Sequence, residues 1–211
     1  MPSRRIMVAA LVYGAMLAAA CAWAGWEARS IMHHDAWLEC TRPVAVATSI
    51  ALGLVVAAVV ILLTRKLVRR TRWARHLHVS FRGLLGPMSG TEIAFFAVAS
   101  GIAEEAFFRG AMQPALGLLP TALLFGLAHV PPSRTLISWT LFAVIMGLVL
   151  GGLYALTGEL AGLVLAHILI NYENLHFIEA YDPEVTDPRA QRAVAPPSLV
   201  GGRIRPGSAR R

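Results

Sequence analysis

The sequence predicts an all-α fold, a polytopic bundle of about six transmembrane helices. Of the 211 residues, 56% are hydrophobic and only 15% are charged, whereas soluble domains usually carry about 25% charged residues. The apolar residues form long continuous runs separated by short arginine-rich stretches, and a bilayer core needs about 20 such residues per helix. Because the runs do not alternate between apolar and polar positions, they do not indicate a β-barrel.

Six apolar runs give the predicted spans. They cover residues 6–26, 44–64, 92–112, 116–130, 136–156 and 160–178. The first run is longer than the ~7–15 apolar residues of a signal peptide, which favours an uncleaved membrane helix. Pro131 and Pro132 are expected to end the fourth span, because proline cannot continue the hydrogen-bond ladder of a helix.

The basic residues predict the orientation of the chain in the membrane. The segment 65–82 holds seven of them and is predicted to be a cytoplasmic loop after an N-terminal helix pair. With the N-terminus inside, 16 of the 19 Lys and Arg residues fall on the cytoplasmic side, against Arg29 and Arg42 outside. This bias predicts that both termini lie in the cytoplasm of a bacterial inner membrane. It explains the net charge of +7 without nucleic acid, although the basic segment would also suit anionic lipid headgroups.

The tail is predicted to be disordered. Residues 179–211 are rich in proline, glycine and arginine, a composition that cannot bury enough apolar surface to fold. The sequence therefore predicts three parts, which are an N-terminal part, 1–87, a helical core, 88–178, and a basic tail.

The third span carries three charged residues, Glu104, Glu105 and Arg109. Each costs at least ~2.5–3.5 kcal/mol in the hydrocarbon core unless it has a partner or a function. Glu105 and Arg109 are four residues apart and share a helix face, so they can form an ion pair. Glu104 is rotated by about 100° from Glu105. One carboxylate can therefore be held by Arg109 while the other points into a cavity and moves protons.

Two further spans carry polar groups at the same spacing of four. The fourth span holds Phe125 and His129, and the sixth holds His167 and Asn171. At a rise of ~1.5 Å per residue, these groups and Glu104 lie at similar depths, roughly 10–20 Å from the non-cytoplasmic ends. The sequence therefore allows one polar constellation near the middle of the membrane. The alternatives are a structural ion pair with interhelical hydrogen bonds, or a proton relay in a small transporter.

The ordered set of these pairs resembles the motifs of the CPBP family, the CAAX-protease and bacteriocin-processing (Abi) family of intramembrane proteases. The set is Glu104-Glu105-x-x-x-Arg109, Phe125-x-x-x-His129 and His167-x-x-x-Asn171. The resemblance covers about residues 88–178. It implies a polytopic α-helical endopeptidase that hydrolyses a peptide bond in a membrane-associated protein or peptide, prenylated or not. A non-catalytic immunity or scaffold protein of the same fold is the alternative.

By this resemblance, each motif residue receives a role. Glu104 would activate the attacking water together with His129, and Glu105 and Arg109 would support that glutamate. His167 and Asn171 would stabilise the oxyanion.

The resemblance leaves the cofactor open, because both metalloprotease and metal-free glutamate mechanisms have been ascribed to the family. Zinc is the alternative cofactor, with Glu104, His129 and His167 as its ligands. The sequence has no HExxH motif, and its two cysteines do not form a metal-type pair. These observations favour the metal-free mechanism.

Overall fold

The computed structural model describes residues 3–129 and 137–183, and it confirms the all-α prediction. The chain divides into two units, 1–181 and 182–211, and of the second only Asp182 and Pro183 are described. The described ranges contain helices and no β-strand. The helices are α1 Arg4–Trp26, α2 Arg42–Arg70, α3 Arg72–Leu85, α4 Gly90–Glu104, a π-helix Glu105–Met112, α5 Gln113–Leu116, α6 Leu118–Ala128, α7 Ile137–Thr157 and α8 Ala161–Ala180.

Helices occupy the six predicted spans. The third span is built from α4 and the π-helix, and the others correspond to α1, α2, α6, α7 and α8. Among the described helices, α1, α2 and α7 are long and apolar enough to cross a membrane by length and composition alone. The predicted end of the fourth span at Pro131 and Pro132 lies outside the described residues, as does most of the tail predicted to be disordered.

The segment 65–82, predicted as a loop, is helical. Helix α2 continues to Arg70, and after an extended residue at Thr71 the chain enters α3. In α3, Ala74 and His78 are buried while Trp73 is exposed. Helix α3 is therefore amphipathic. The prediction of a loop rested on the basic residues of this segment and did not consider the amphipathic pattern.

The outer surface of the bundle is apolar and its interior contains charged side chains. Large aliphatic residues are widely exposed, with Leu11 at 75%, Leu62 at 67% and Leu119 at 65% of their full accessible area. By contrast, Glu105 and Arg109 are fully buried. Soluble monomeric proteins rarely expose such an extended apolar surface to water, whereas lipid chains solvate it. The protein is therefore an integral membrane protein.

Small residues bring α8 close to its neighbours. Helix α8 packs against α2 and α4. Between α2 and α8, Ser49 Oγ donates to the carbonyl of Glu159 at 2.9 Å and accepts from the amide of Gly162 at 3.2 Å. Between α4 and α8, a Cβ atom on Gly101 would lie 2.6 Å from Cγ1 of Ile168. These contacts fix the helix that carries His167, since close approach between membrane helices depends on small side chains.

The loop 27–41 ties α1 and α2 to the corner between α7 and α8. The amide of His34 donates to the carbonyl of Gly158 at 2.9 Å, and Gly158 has a φ of +69°, which favours glycine. Arg42 Nε donates to the buried carboxylate of Glu159 at 3.0 Å. Residues of the N-terminal part of the chain thus hold the start of α8 in place.

Candidate active site

The two consecutive glutamates lie where α4 changes into a π-helix. Glu104 is the last residue of α4, and Glu105 begins the π-helix that also contains Arg109. Arg109 Nη1 donates to Glu105 Oε1 at 3.1 Å, and both side chains are fully buried. The ion pair expected from the spacing is therefore present. Short π-helical segments are rare and frequently occur at functional sites.

Arg109 also lies against an aromatic ring. Its guanidinium carbon is 4.4 Å from the centroid of the Phe125 ring on α6. A desolvated cation over an aromatic face gains about 2 kcal/mol or more. The buried arginine is thus stabilised by a carboxylate on its own helix and by a ring from α6, which fixes α6 against the π-helix.

His167 joins α8 to the same carboxylate. Its Nδ1 donates to Glu105 Oε1 at 2.6 Å. This hydrogen bond places a proton on Nδ1 and sets the orientation of the ring. The other ring nitrogen, Nε2, lies 3.9 Å from Glu104 Oε2.

His129 presents its Nε2 to Glu104 from the end of α6. Its Nδ1 donates to the carbonyl of Phe125 at 2.7 Å, because a carbonyl oxygen can only accept. The proton is therefore fixed on Nδ1, and Nε2 lies 3.6 Å from Glu104 Oε2. The ring also contacts Trp139 on α7 edge to face, with 5.9 Å between centroids.

Glu104 Oε2 is the point at which the two imidazoles converge. This oxygen is buried and has no hydrogen-bond partner among the described residues. Its distances of 3.6 and 3.9 Å from the two Nε2 atoms exceed direct hydrogen-bond length. Polar groups at such separations are commonly bridged by a water molecule. The geometry therefore suits a water held between one carboxylate and two imidazoles.

Asn171 lies one turn after His167 and is bonded to α4. Its Nδ2 donates to Ser100 Oγ at 2.9 Å, and Ser100 Oγ donates in turn to the carbonyl of Ala97 at 3.3 Å. Ser100 precedes Glu104 by four residues and shares its helix face. The amide of Asn171 is thus held one turn from Glu104.

A cavity of about 490 Å³ contains these groups, a volume typical of ligand sites. Glu104, His129, His167 and Asn171 all line it, whereas Glu105 and Arg109 lie behind it. The lining also includes residues at the start of α1, at the end of α3 and between α3 and α4. They are Arg5, Leu84, Leu85 and Met88. Apolar side chains make most of the wall, so the cavity suits an extended apolar peptide segment.

The lining residues that were not among the sequence candidates include Tyr13 on α1, Ser100 on α4 and Trp139 on α7. Ser100 had a usable signal, since it precedes Glu104 by one turn. Tyr13 is a hydroxyl inside an apolar run, but nothing in the sequence says which helix α1 contacts.

The residues that would hold a metal ion are Glu104, His129 and His167. Both imidazoles have oxygen acceptors at Nδ1, as metal-binding histidines do. Within the ranges that the structure describes, however, no group of three or more His, Cys, Asp or Glu side chains is arranged to hold a metal ion. As they are placed, these three side chains do not fit a metal centre.

The comparisons with known proteins agree with the motif resemblance. Residues 87–172 match the model of the family described as type II CAAX prenyl endopeptidase, Rce1-like. The uncharacterized protein YpbD of Bacillus subtilis (strain 168) is 35% identical over 81 residues, which are 37% of this chain and 41% of that relative. The similarity thus spans less than half of the relative's length. No solved structure matches the chain.

Proposed function

Because residues 87–172 match the model of the Rce1-like family of type II CAAX prenyl endopeptidases, we propose that this chain is an intramembrane endopeptidase. Its substrate is a membrane-associated protein or peptide, whose scissile bond enters the apolar cavity. The observation that supports this best is the convergence of Glu104 Oε2 with the Nε2 atoms of His129 and His167. A carboxylate and imidazoles around one point are the groups that general acid–base hydrolysis requires.

In the proposed reaction, Glu104 and His129 activate a water molecule. The bond from His129 Nδ1 to Phe125 leaves the lone pair of Nε2 free to orient that water. As the water oxygen attacks the peptide carbonyl carbon, its proton passes to Glu104. The tetrahedral intermediate collapses with cleavage of the C–N bond, and the proton moves to the leaving amine. Such proton transfer accelerates reactions by typically 10²–10⁴-fold.

Glu105 and Arg109 support this chemistry from behind the cavity. Arg109 neutralises Glu105, and Glu105 in turn binds Nδ1 of His167. His167 can donate to an oxyanion only when Nε2 also carries a proton, and the carboxylate of Glu105 stabilises that imidazolium. The two carboxylates, the guanidinium and the imidazolium then sum to zero charge. Neutrality matters here because uncompensated charge is costly inside a membrane.

Asn171 supplies a neutral donor for the oxyanion. Its amide lies one turn beyond His167, and its bond to Ser100 keeps it against the α4 wall of the cavity. Donors that are held in place before the reaction stabilise developing charge without reorganisation. His167 and Asn171 together thus form the proposed oxyanion hole.

The proposed setting is the bacterial inner membrane with both termini in the cytoplasm, as the bias in basic residues indicates. Residues 88–178 form the catalytic core in this account. The N-terminal part, 1–87, and the tail, 179–211, flank it. Arg5, Leu84 and Met88 line the cavity and belong to segments that this orientation would place on the cytoplasmic side, so we expect the peptide to reach the site from that side.

Peptide hydrolysis by the purified protein tests the proposal. The protein in lipid nanodiscs is incubated with internally quenched apolar peptides, half of them farnesylated near the C-terminus. We expect the wild type to cleave at least one of the two classes of peptide, and the cleavage is identified by mass spectrometry. If neither class is cleaved while the protein reconstituted in vesicles carries protons, the relay alternative replaces the protease.

A further inference from the structure

His129 lies where the hydrogen-bond pattern of α6 ends. It is the C-cap of that helix, with a φ of −104° and a ψ of 19°, and its amide donates to the carbonyl of Gly126 at 3.0 Å. The carbonyl of Phe125 accepts from the ring Nδ1 of His129 instead, at 2.7 Å. The imidazole is partly exposed, and one neutral hydrogen bond holds such a ring weakly, because water competes for both partners. Further contacts are needed to keep Nε2 directed at Glu104.

The start of α7 supplies two contacts of this kind. The ring of Trp139 meets the ring of His129 edge to face, with 5.9 Å between centroids and 62° between planes. Aromatic pairs favour this geometry, so the contact restrains the orientation of the imidazole. The hydroxyl of the next residue, Thr140, donates to the backbone carbonyl of His129 at 3.1 Å. The start of α7 thus holds both the backbone and the ring of His129.

Trp139 is itself held from two sides. Its ring stacks on Phe142, one turn later in α7, with 5.6 Å between centroids. It also meets Phe81 of α3 edge to face at 5.0 Å. A tryptophan near the end of a membrane helix commonly anchors that helix at the lipid interface. The ring of Trp139 lines the cavity instead, whereas the ring of Trp73 on α3 is exposed.

Close packing of α6 against α7 sets the register of these contacts. A Cβ on Gly126 would collide with the side chain of Val144. Glycine lets two membrane helices approach closely, and this interlocking fixes their relative height. Gly126 lies one turn before His129, and Val144 lies five residues after Trp139. Because the two helices run antiparallel, the same register brings the indole beside the imidazole.

We propose that Trp139 and Thr140 are positioning residues, which keep Nε2 of His129 directed at Glu104. They act on the reaction through His129, and this inference rests on the proposed endopeptidase function. Phe81 extends the support to α3. The amphipathic helix that precedes the matched segment 87–172 therefore contributes to the order of the site.

The tautomer of His129 reports its position. With Nδ1 bonded to a carbonyl the ring carries its proton on Nδ1, whereas a histidine ring free in water favours the Nε2–H form. Nitrogen NMR of isotope-labelled histidine distinguishes the two forms. Spectra in nanodiscs are recorded at about pH 8.5, where an ordinary histidine is neutral, and the signal that His129→Gln removes is that of His129. Trp139→Leu and Thr140→Val should each shift this signal toward the Nε2–H form.

Cleavage of the best peptide of the panel is the second measurement. Trp139→Leu should lower kcat by about 10- to 100-fold, because a displacement of ~1 Å at an active site costs about 10²-fold in rate. KM should change much less, since His129 acts on water and not on substrate binding. Thr140→Val keeps the side-chain size and should lower kcat in the same direction. Trp139→Phe keeps an aromatic ring and should retain most of the activity.

Trp73→Leu is the matched control, because it removes an indole that is exposed on α3. It should leave kcat, KM and the tautomer of His129 as in wild type. Thermal unfolding in detergent is followed for every variant. If Trp139→Leu does not fold, the comparison of Thr140→Val with wild type decides the outcome.

The possible results separate this inference from the proposed function. Wild-type His129 without the Nδ1–H form overturns the inference. Unchanged kcat in both Trp139→Leu and Thr140→Val, with an active wild-type enzyme, also overturns it and leaves the proposed function standing. Loss of activity without a shift of the tautomer overturns it as well, because a raised KM then marks a substrate contact and a lowered Tm a purely structural role. A wild type that cleaves no peptide overturns the proposed function and this inference with it.

Discussion

His167 Nδ1 donates to Glu105 Oε1 at 2.6 Å, which joins α8 to the π-helix inside the helix bundle. The same oxygen accepts from Arg109 Nη1 at 3.1 Å. Glu105 is therefore the common partner of a guanidinium and an imidazole, and it is the second glutamate of the pair, not the one that lines the cavity. The first glutamate, Glu104, is left with its Oε2 facing two imidazole nitrogens.

Removal of Arg109 is expected to destabilise the protein strongly. Arg109→Leu leaves the carboxylate of Glu105 buried without its cation, and breaking a buried pair in this way costs about 3–5 kcal/mol. Arg65→Leu is the matched control, because its ion pair with Glu173 is partly exposed and such pairs contribute about 0–1 kcal/mol. Unfolding in detergent measures both variants, and equal stability losses would contradict the structural role given to Glu105 and Arg109.

Replacement of His129 is expected to remove activity without unfolding the protein. His129→Gln eliminates the Nε2 lone pair near Glu104, and kcat should fall by about 10²–10⁴-fold. Its side chain is only partly buried, so Tm should change little. His176→Gln, whose ring contacts Tyr172, is the control and should keep full activity. A His129→Gln variant within a few-fold of wild-type kcat would exclude His129 from proton transfer and water orientation.

The spacing between α4 and α8 is expected to control the rate. A Cβ at position 101 would approach Ile168 Cγ1 to 2.6 Å and the backbone nitrogen of Ile168 to 3.1 Å. Gly101→Val should therefore push the neighbouring His167 away from Glu104. A displacement of ~1 Å at an active site costs about 10²-fold in rate, so kcat should fall at least tenfold.

Gly152→Ala is the control for this substitution. Gly152 lies in α7, and a Cβ there meets no atom within 4 Å among the described residues. The change should leave kcat unaltered and raise stability by up to about 1 kcal/mol, as alanine favours helix over glycine. Unchanged activity in Gly101→Val would show that the α4–α8 distance does not set the position of His167.

Removal of metal ions is expected to leave peptide cleavage intact. The glutamate mechanism uses Glu104 and His129 on water directly, so prolonged dialysis against a chelator should not change kcat. Elemental analysis of the active protein checks the same point. Stoichiometric zinc, with activity lost to the chelator and restored by the metal, would establish the metalloprotease alternative with Glu104, His129 and His167 as ligands.

Much of the fold was predictable because the relevant signals are local. Apolar run length predicted the spans, and a separation of four residues predicted the pair of Glu105 and Arg109. Which helices contact one another depends on residues that are far apart in the sequence. The position of Tyr13 in the cavity wall was therefore not predicted. The π-helix at Glu105 was not predicted either, because a change of hydrogen-bond register within a helix does not show in the amino-acid composition. The helix at 72–85 was not predicted, because the prediction of a loop rested on the basic residues of this segment and not on its amphipathic period.

The most direct test of the central claim is cleavage by Glu104→Gln beside Glu173→Gln, both purified in nanodiscs. The amide keeps the size of the carboxyl group but cannot take a proton from water. We predict that Glu104→Gln folds with a Tm near that of wild type and shows no cleavage above background, while Glu173→Gln stays active. Cleavage by Glu104→Gln at the wild-type rate would contradict it.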